Sequence, residues 1–171
     1  MKKCAILGAN GYIGKHLNYY LKCKGVSPMC YDIHDFVDVN YRQVDLTDKN
    51  SVNNIDLNVD YIFDFAGLTG TYTGFEKYEL YNSINELGLL NLLNAIKSSP
   101  YRPKIIYPST RLVYKGVDKP LKEDDEKETK TIYAVNKLAE IINSHKKIQP
   151  FLADKPFSYK NIQISISFEA I

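Results

Sequence analysis

The stretch that most constrains this chain lies near its start, where an apolar run leads through a glycine-rich loop into a helix. Residues 3 to 8 read KCAILG, which is typical of a short buried strand, and the overlapping GANGYIG carries glycines at 8, 11 and 14. Gly8 permits the tight turn out of the strand, Gly11 lets the backbone approach a pyrophosphate, and Gly14 lets the helix pack closely on the sheet. The pattern predicts a nucleotide-binding loop, against the simpler alternative of a plain tight turn.

The first helix, predicted from about Tyr12 to Lys24 with Gly25 ending it, begins within this loop. Its free N–H groups and positive dipole end point at the phosphates of a bound nucleotide. We therefore expect cofactor contacts along the whole loop, from residues Gly8, Asn10, Gly11, Tyr12, Ile13 and Gly14. The residues expected on the helix face that packs on the sheet are Ile13, Leu17, Tyr20 and Leu21.

An acidic residue about 20 positions further on is the expected companion of such a loop. Asp32 stands there, at the end of a second strand predicted over residues 27 to 33. Its carboxylate can accept hydrogen bonds from both adenosine-ribose hydroxyls and repels a 2′-phosphate, and His34 rather than Arg or Lys follows it. The cofactor predicted is therefore NAD rather than NADP, while Asp35 is interpreted as a turn aspartate.

Two further stretches are candidates for cofactor contact. In VDLTD (44 to 48), Asp45 and Leu46 end a short third element, and Asp45 fits either the adenine edge or a helix N-cap. In DYIFDFA (60 to 66), a buried strand ends in small residues. Ala66 and Gly67 would permit close approach of a cofactor, or they form a simple strand exit. Phe65, just before them, is a further candidate for cofactor contact.

The rest of the chain continues the alternation of strands and helices. The predictions are a helix over 83 to 97 with apolar residues almost all round, a strand over 104 to 109, a charged solvated loop over 115 to 130, a helix over 131 to 147 and a strand over 161 to 168. Strands that alternate with helices imply βαβ units, hence an α/β fold with a parallel sheet and helices on both faces.

Composition narrows the class of protein. The 171 residues suffice for one domain, and 44% hydrophobic with 25% charged residues is ordinary for a globular protein. A net charge of +2 gives no reason to expect nucleic acid as a partner, and no apolar run approaches a membrane span. Cys4, Cys23 and Cys30 have no metal-ligand spacing, so we predict reduced thiols, no metal site and a cytoplasmic protein.

Taken in order, these motifs resemble a known family. GANGYIG, Asp32, VDLTD, FDFAG, SINELG, PSTRLVY and YAVNK follow one another over residues 3 to 147 as in the extended short-chain dehydrogenase/reductases, the NAD-dependent epimerase/dehydratase proteins. Most of these proteins act on nucleotide sugars. The resemblance implies a Rossmann-like doubly wound parallel sheet with strand order 3-2-1-4-5-6, and NAD as cofactor with a nucleotide sugar as substrate.

The resemblance also implies roles for matching residues. Tyr133 would be the general acid/base, and Lys137, one helical turn on, would lower the pKa of Tyr133 by its charge and hold the nicotinamide ribose. Thr110 would hydrogen-bond the substrate oxygen that gains or loses a proton. Asn85 would support the active-site structure, and Ser109 would serve structure or cofactor contact. By themselves, a Tyr and a Lys four residues apart would more often be surface residues.

One departure from the family pattern narrows the reaction. Nucleotide-sugar 4,6-dehydratases carry an Asp-Glu pair after the catalytic threonine, whereas Arg111 and Leu112 stand here. Leucine cannot move a proton. The reaction expected is therefore 4-epimerisation, or oxidation or reduction at one sugar carbon.

A second departure concerns length. Family members run to about twice this length, so we expect one NAD-binding domain over 1 to 171 without the C-terminal substrate domain. This leaves open a non-catalytic NAD(P)-binding or regulatory protein beside the enzyme, and a reductase or dehydrogenase of the same family. A homodimer through the helices at 83 to 97 and 131 to 147 is implied by the family's usual association.

Overall fold

A computed structural model of the protein describes residues 2–35, 37–122, 125–139 and 162–165. Six parallel strands form one sheet in the order β3-β2-β1-β4-β5-β6, which confirms the predicted strand order. The strands are β1 Cys4–Leu7, β2 Met29–Asp32, β3 Tyr41–Gln43, β4 Tyr61–Asp64, β5 Lys104–Pro108 and β6 Ile162–Ser165. Successive strands are added on one side of β1 up to β3 and on its other side from β4 onward, so the switch point of the sheet lies between β1 and β4, beside the glycine loop.

Helices connect these strands. They are α1 Tyr12–Cys23, α2 Lys49–Val52, α3 Thr73–Glu76, α4 Tyr78–Tyr81, α5 Gly88–Ser98 and α6 over 132 to 139, with a π-helical segment Asn82–Leu87 between α4 and α5 and a 3₁₀ turn Arg111–Val113. The helix predicted from residue 83 therefore begins five residues earlier, at Tyr78. The predicted residues 140 to 147 of the last helix, and those of the last strand outside 162 to 165, lie outside the described residues.

Helices cover both faces of the sheet. On one face, Leu7, Ile62 and Ile105 of the central strands are buried against Leu92 and Ile96 of α5. This packing accounts for the run of apolar residues in α5. The central strands of a parallel sheet bury both of their faces, and α5 covers one of them.

The opposite face of the sheet is covered by α1. Ile6, Ala9 and Cys30 are buried there, with Leu17 and Leu21 packed against them. The prediction that Ile13 and Tyr20 share this packed face is wrong, because they are 47% and 57% exposed. The contact line of α1 instead passes through Gly14 and Asn18, its buried residues, and Ile13 lies about 100° around the helix from that line.

The remaining expectations about surface and thiols are met where the structure describes them. The charged segment 115 to 130 is a loop where the structure describes it, with one isolated bridge between Tyr114 and Lys127. All three cysteines are free thiols. Within the described ranges, no helix has the length and apolar character that a membrane crossing requires.

Candidate functional site

A cleft of about 380 Å³ opens at the carboxyl ends of β1, β2 and β4. It brings together nine of the residues predicted from sequence, namely Gly8, Asn10, Gly11, Asp32, Asp45, Leu46, Phe65, Ala66 and Gly67. Apolar walls from Leu7, Ile33 and Val44 complete it. Ligands of open α/β sheets bind at this kind of position, outside the carboxyl ends of the strands at the switch point.

The backbone of the glycine loop leaves no room for side chains at two of its three glycines. Gly8 has φ +74°, and a Cβ built there would lie 2.7 Å from the backbone N of Ala66. A Cβ on Gly14 would lie 2.2 Å from the carbonyl O of Gly8. At Gly11 the corresponding distance to the Gly8 carbonyl is 3.2 Å, which is tight rather than forbidden. The loop can therefore form only with glycine at 8 and 14.

The first turn of α1 is suited to an anion. Its N-cap residue is Gly11, no side chain caps the turn, and no acidic residue lies in it. The first N–H groups of a helix have no partner within the helix, and the helix dipole places positive charge there. Tyr12, Ile13 and Gly14 do not line the cleft, but their backbone N–H groups in the first turn of α1 fit an anion such as a pyrophosphate.

Asp32 lies at the end of β2, with its carboxylate held by the backbone. One oxygen accepts a hydrogen bond from Asn10 N at 2.8 Å, and the other accepts one from His34 N at 3.0 Å. A carboxylate offers about four lone-pair positions, so both oxygens can still accept hydroxyl donors from a ligand. The arrangement fixes the position of the acid and fits a ribose diol in the cleft.

Asp45 does not cap a helix, so the N-cap alternative for this residue is wrong. Its side chain accepts bonds from Thr47 N at 2.8 Å and Thr47 Oγ1 at 2.7 Å, which closes a local turn. Asp48 is the N-cap of α2 and accepts from Asn50 N. The turn at Asp45 holds the chain against the cleft, whose wall includes Asp45, Leu46 and Thr47.

The predicted pair on α6 lies on one side of that helix, directed at the sheet. Lys137 is 5% exposed, and its Nζ donates a hydrogen bond to the hydroxyl of Tyr107 on β5. The same Nζ lies 4.0 Å from the centroid of the Tyr107 ring and 5.8 Å from that of Tyr133. It is also 4.0 Å from a Cβ built on Gly67, so Lys137 reaches the floor of the cleft.

The electrostatics around this pair differ from the expectation. Burial raises the pKa of Tyr133 above its usual value, and the charge of Tyr81 adds to the effect, so the prediction that Lys137 holds this pKa down is wrong for this arrangement. The physical reason is that the phenol itself is desolvated, and burial disfavours its charged form. Burial lowers the pKa of Lys137 to about 8, with Asp64 acting in the opposite direction.

Asp64, at the end of β4, was not among the predicted site residues. It is 2% exposed, and burial raises the pKa of its carboxyl to about 6, against the opposing charge of Lys137. Tyr107 was missed as well. A signal for Asp64 existed in the sequence, because a charged residue interrupts the otherwise apolar strand YIFDF.

Asn85 contributes through the backbone of a neighbouring loop. Its Oδ1 accepts from Leu68 N at 2.7 Å, and its Nδ2 donates to Leu68 O at 3.1 Å. The side chain is 3% exposed and belongs to the π-helical segment, a kind of irregularity that is frequent at functional sites. Asn85 thus fixes Leu68, which lines the cleft, while both of its own polar atoms are engaged.

Thr110 and Ser109 follow β5. Thr110 is the N-cap of the 3₁₀ turn, and its Oγ1 accepts from Leu112 N at 3.3 Å, which leaves the hydroxyl proton available for donation. Ser109 is 8% exposed, and its Oγ has no hydrogen-bond partner among the described residues. Neither residue lines the cleft.

A sequence profile described as the NAD dependent epimerase/dehydratase family matches residues 4–143. Comparison with curated protein sequences finds no match. Among solved structures, similarity extends to a UDP-glucose 4-epimerase with a TM-score of 0.78 and 26% identity, over 86% of this chain and 48% of that one.

Two further solved structures are similar. A dTDP-4-dehydrorhamnose reductase from Clostridium acetobutylicum has a TM-score of 0.69 and 29% identity, over 86% of this chain and 50% of that one. A uronate dehydrogenase from Agrobacterium tumefaciens, with a TM-score of 0.74 and 23% identity over 88% of this chain and 57% of that one, shares the fold. The chain spans about half the length of these proteins.

Proposed function

Because the chain belongs to the NAD dependent epimerase/dehydratase family, we propose that it forms the cofactor-binding and catalytic part of a nucleotide-sugar oxidoreductase of the 4-epimerase type. Its cofactor is NAD, the cofactor of the family, bound in the cleft between the glycine loop and Asp32. Its substrate is a nucleotide sugar, oxidised and reduced at one carbinol carbon.

One observation supports this proposal: Lys137, one of the catalytic candidates, approaches the cleft at Gly67. This glycine lines the cleft, and the Nζ of Lys137 lies 4.0 Å from where a Cβ on it would stand. A side chain at position 67 would also approach Asn85 Oδ1 to 3.0 Å. The floor of the cleft is therefore open where the lysine reaches it, which is where a nicotinamide ribose would be held.

Bound NAD supplies the hydride acceptor, and later the donor, for chemistry at the sugar carbon. Tyr133 moves the proton of the sugar hydroxyl, because a phenol within hydrogen-bond reach can act as general acid and base. Thr110 donates its remaining proton to the same sugar oxygen. Lys137 provides the ammonium that orients the nicotinamide ribose.

The residues after Thr110 favour epimerisation or simple redox over dehydration. Arg111 and Leu112 form the 3₁₀ turn there, and Leu112 contributes its backbone N–H to Thr110. Elimination of water needs a further acid and base next to the sugar, and the leucine side chain supplies neither.

Calorimetric titration of the purified chain with NAD tests the cofactor assignment. We expect saturable 1:1 binding, with NADP much weaker. Interconversion of UDP-glucose and UDP-galactose, followed by chromatography, tests the reaction. A folded sample that binds no NAD would contradict the cofactor assignment, and NAD binding without turnover would contradict catalysis by this chain alone.

A second candidate, a reductase or dehydrogenase of the same family, is favoured by the 29% identity to the dTDP-4-dehydrorhamnose reductase. A screen of 4-keto sugar nucleotides with NADH separates it from the epimerase. In either enzyme Tyr133→Phe should reduce turnover by about 10²-fold or more while NAD affinity changes little. An activity that survives this substitution would instead favour the non-catalytic NAD-binding protein.

A further inference from the structure

A buried carboxylate lies beneath the cleft, and the proposed reaction does not use it. Asp64 is 2% exposed, and among the described contacts one oxygen accepts a hydrogen bond from Ala66 N at 3.2 Å. It pairs in register with Leu7 on β1, at the centre of the sheet. A buried carboxylate is costly unless it is paired with a positive charge or fully hydrogen-bonded, so its position requires a partner.

Tyr107 lies next to Asp64 across the sheet. Phe63 pairs with Ile106 on the neighbouring strand, so Asp64 and Tyr107 occupy the next step of the same parallel register. Side chains alternate along strands, so these two share the face of the buried pair Ile62 and Ile105. The sheet therefore presents a carboxylate and a phenol side by side, on the face that α6 approaches with Lys137.

Lys137 completes the group. Its Nζ donates to the hydroxyl of Tyr107 and lies 4.0 Å from the centroid of that ring, a distance at which a cation is attracted by the ring face. Asp64 is the charge that acts on it, and it favours the protonated amine. The lysine is therefore in contact with the phenol of Tyr107 and under the charge of Asp64.

Three other ionisable groups on the helical elements around Lys137 have described interactions. On its own helix, Tyr133 presents its ring 5.8 Å from Nζ. From the π-helical segment, Glu86 accepts a hydrogen bond from Asn136 at 2.6 Å and is engaged there. The charge of Tyr81 on α4 raises the pKa of Tyr133. Within the described part of the chain, Asp64 is thus the carboxylate whose charge acts on Lys137.

We propose that Asp64 and Tyr107 are positioning residues that hold the side chain of Lys137 as an ammonium at the floor of the cleft. Asp64 supplies the counter-charge that keeps the amine protonated in a desolvated place. Tyr107 supplies the acceptor and the ring that fix where Nζ lies. The role of this arrangement in catalysis rests on the proposed function, whereas the arrangement itself depends only on the described side chains.

The test is an NMR titration of the Lys137 Cε signal in lysine-labelled protein, assigned with Lys137→Met. In the wild-type chain we expect a pKa well below that of an exposed lysine, near the value of about 8. In Asp64→Asn we expect the pKa of Lys137 to fall by about one pH unit or more, because an opposite charge at close range has been removed. An unchanged pKa in a folded Asp64→Asn sample would overturn the proposal.

Asp38→Asn is the matched control. Asp38 also has a side chain only 2% exposed and paired with a lysine, Lys22, but it lies beside α1. This variant should lose stability and leave the titration of Lys137 where it was. A similar fall of the Lys137 pKa in both variants would show a general response to weakened packing and would overturn the assignment to Asp64.

Tyr107→Phe keeps the ring and removes the hydroxyl that accepts the hydrogen bond from Lys137. It tests the proposal if Asp64→Asn does not fold. We expect a smaller fall of the Lys137 pKa and a shift of its Cε signal. An identical titration and signal would overturn the role of Tyr107. None of these measurements uses NAD, so a wild-type chain that fails to bind NAD would contradict the proposed function without touching this result.

Discussion

The two ends of the cleft are built by different means. At the glycine loop, the site consists of backbone: two glycines that admit no Cβ, an uncapped helix terminus and a carboxylate fixed by two N–H groups. At the α6 end, the site consists of desolvated side chains on three different elements. The first end depends on shape, whereas the second depends on charge and therefore on pH.

The largest effect is expected from breaking the backbone end. In Gly14→Ala the new Cβ would lie 2.2 Å from the carbonyl O of Gly8, so loop or helix must move. We expect NAD affinity to fall by at least about 100-fold, since the helix N-terminus and the loop are displaced together. Titration calorimetry with NAD measures this loss of affinity.

Gly116→Ala is the control for this substitution, because nothing lies within 4 Å of a Cβ built at that position. It should leave NAD affinity unchanged. If Gly14→Ala bound NAD as the wild type does, the close packing of α1 on the loop would not be what forms the cofactor site.

The next effect removes the acid of the same end without altering its shape. Asp32→Asn keeps the volume but replaces one acceptor oxygen by a donor group, which disturbs the bond from either Asn10 or His34 and the hydroxyl contacts. We expect NAD affinity to fall by about 10- to 100-fold, typical of a charged hydrogen-bond partner. Affinity for NADP should fall less, since the repulsion of its 2′-phosphate is also removed.

Asp35→Asn serves as the matched control for Asp32, because Asp35 is exposed and the described contact with Asn10 uses only its backbone oxygen. Calorimetry of both variants with both dinucleotides gives the ratio of affinities. A ratio that is the same for Asp32→Asn and the wild type would contradict the role of Asp32 in choosing NAD.

The backbone end could be predicted from sequence because its determinants are local. Glycine spacing, the following helix and an acid about 20 residues on lie within 25 positions of one another, and each acts through a backbone geometry that only certain residues permit. The parallel sheet followed from the alternation of strands and helices, and its strand order from the family resemblance. Four of the nine predicted residues in the cleft, Gly8, Asn10, Gly11 and Asp32, belong to this local set.

The charged end could be predicted only in part. Tyr133 and Lys137 are four residues apart on one helix, so their common face was readable. Asp64 and Tyr107 reach Lys137 through strand register, from positions 73 and 30 residues earlier in the chain, and periodicity does not encode that contact. The direction of the Tyr133 pKa failed for the same reason, since desolvation depends on what other elements cover the phenol.

A pH titration of stability sharpens the contrast at the charged end. Burial raises the pKa of Asp64 from its ordinary value to about 6, so the native state binds this proton more tightly than the unfolded chain does. The resulting stability is fully present below about pH 4 and is lost as pH rises through 6. Between these limits we expect the wild type to lose about 1 to 3 kcal/mol of unfolding free energy relative to Asp64→Asn.

Asp60→Asn, one residue before the same strand, is the control, because the pH dependence of stability expected from Asp60 has the opposite sign. Hydrogen bonding from Lys3 N lowers the pKa of Asp60, so its contribution is lost as pH falls rather than as it rises. Urea unfolding at pH 4 and pH 6 measures the contribution of Asp64, and unfolding below about pH 4, where Asp60 becomes protonated, measures that of Asp60. A wild-type curve parallel to that of Asp64→Asn would show that the carboxylate is already ionised at pH 4 in the native state.

The smallest effect is expected at Ser109, which follows β5 and does not line the cleft. Its buried Oγ has no partner among the described residues, so Ser109→Ala removes a desolvated polar atom without breaking a hydrogen bond. We expect the free energy of unfolding to stay the same or rise by up to about 1 kcal/mol. Ser51→Ala is the matched control, because Ser51 Oγ accepts from Asp45 N at 2.9 Å and its loss should destabilise the chain. Denaturant unfolding of the two variants side by side measures the two changes in stability. Equal losses would mean that Ser109 has a hydrogen-bond partner in solution.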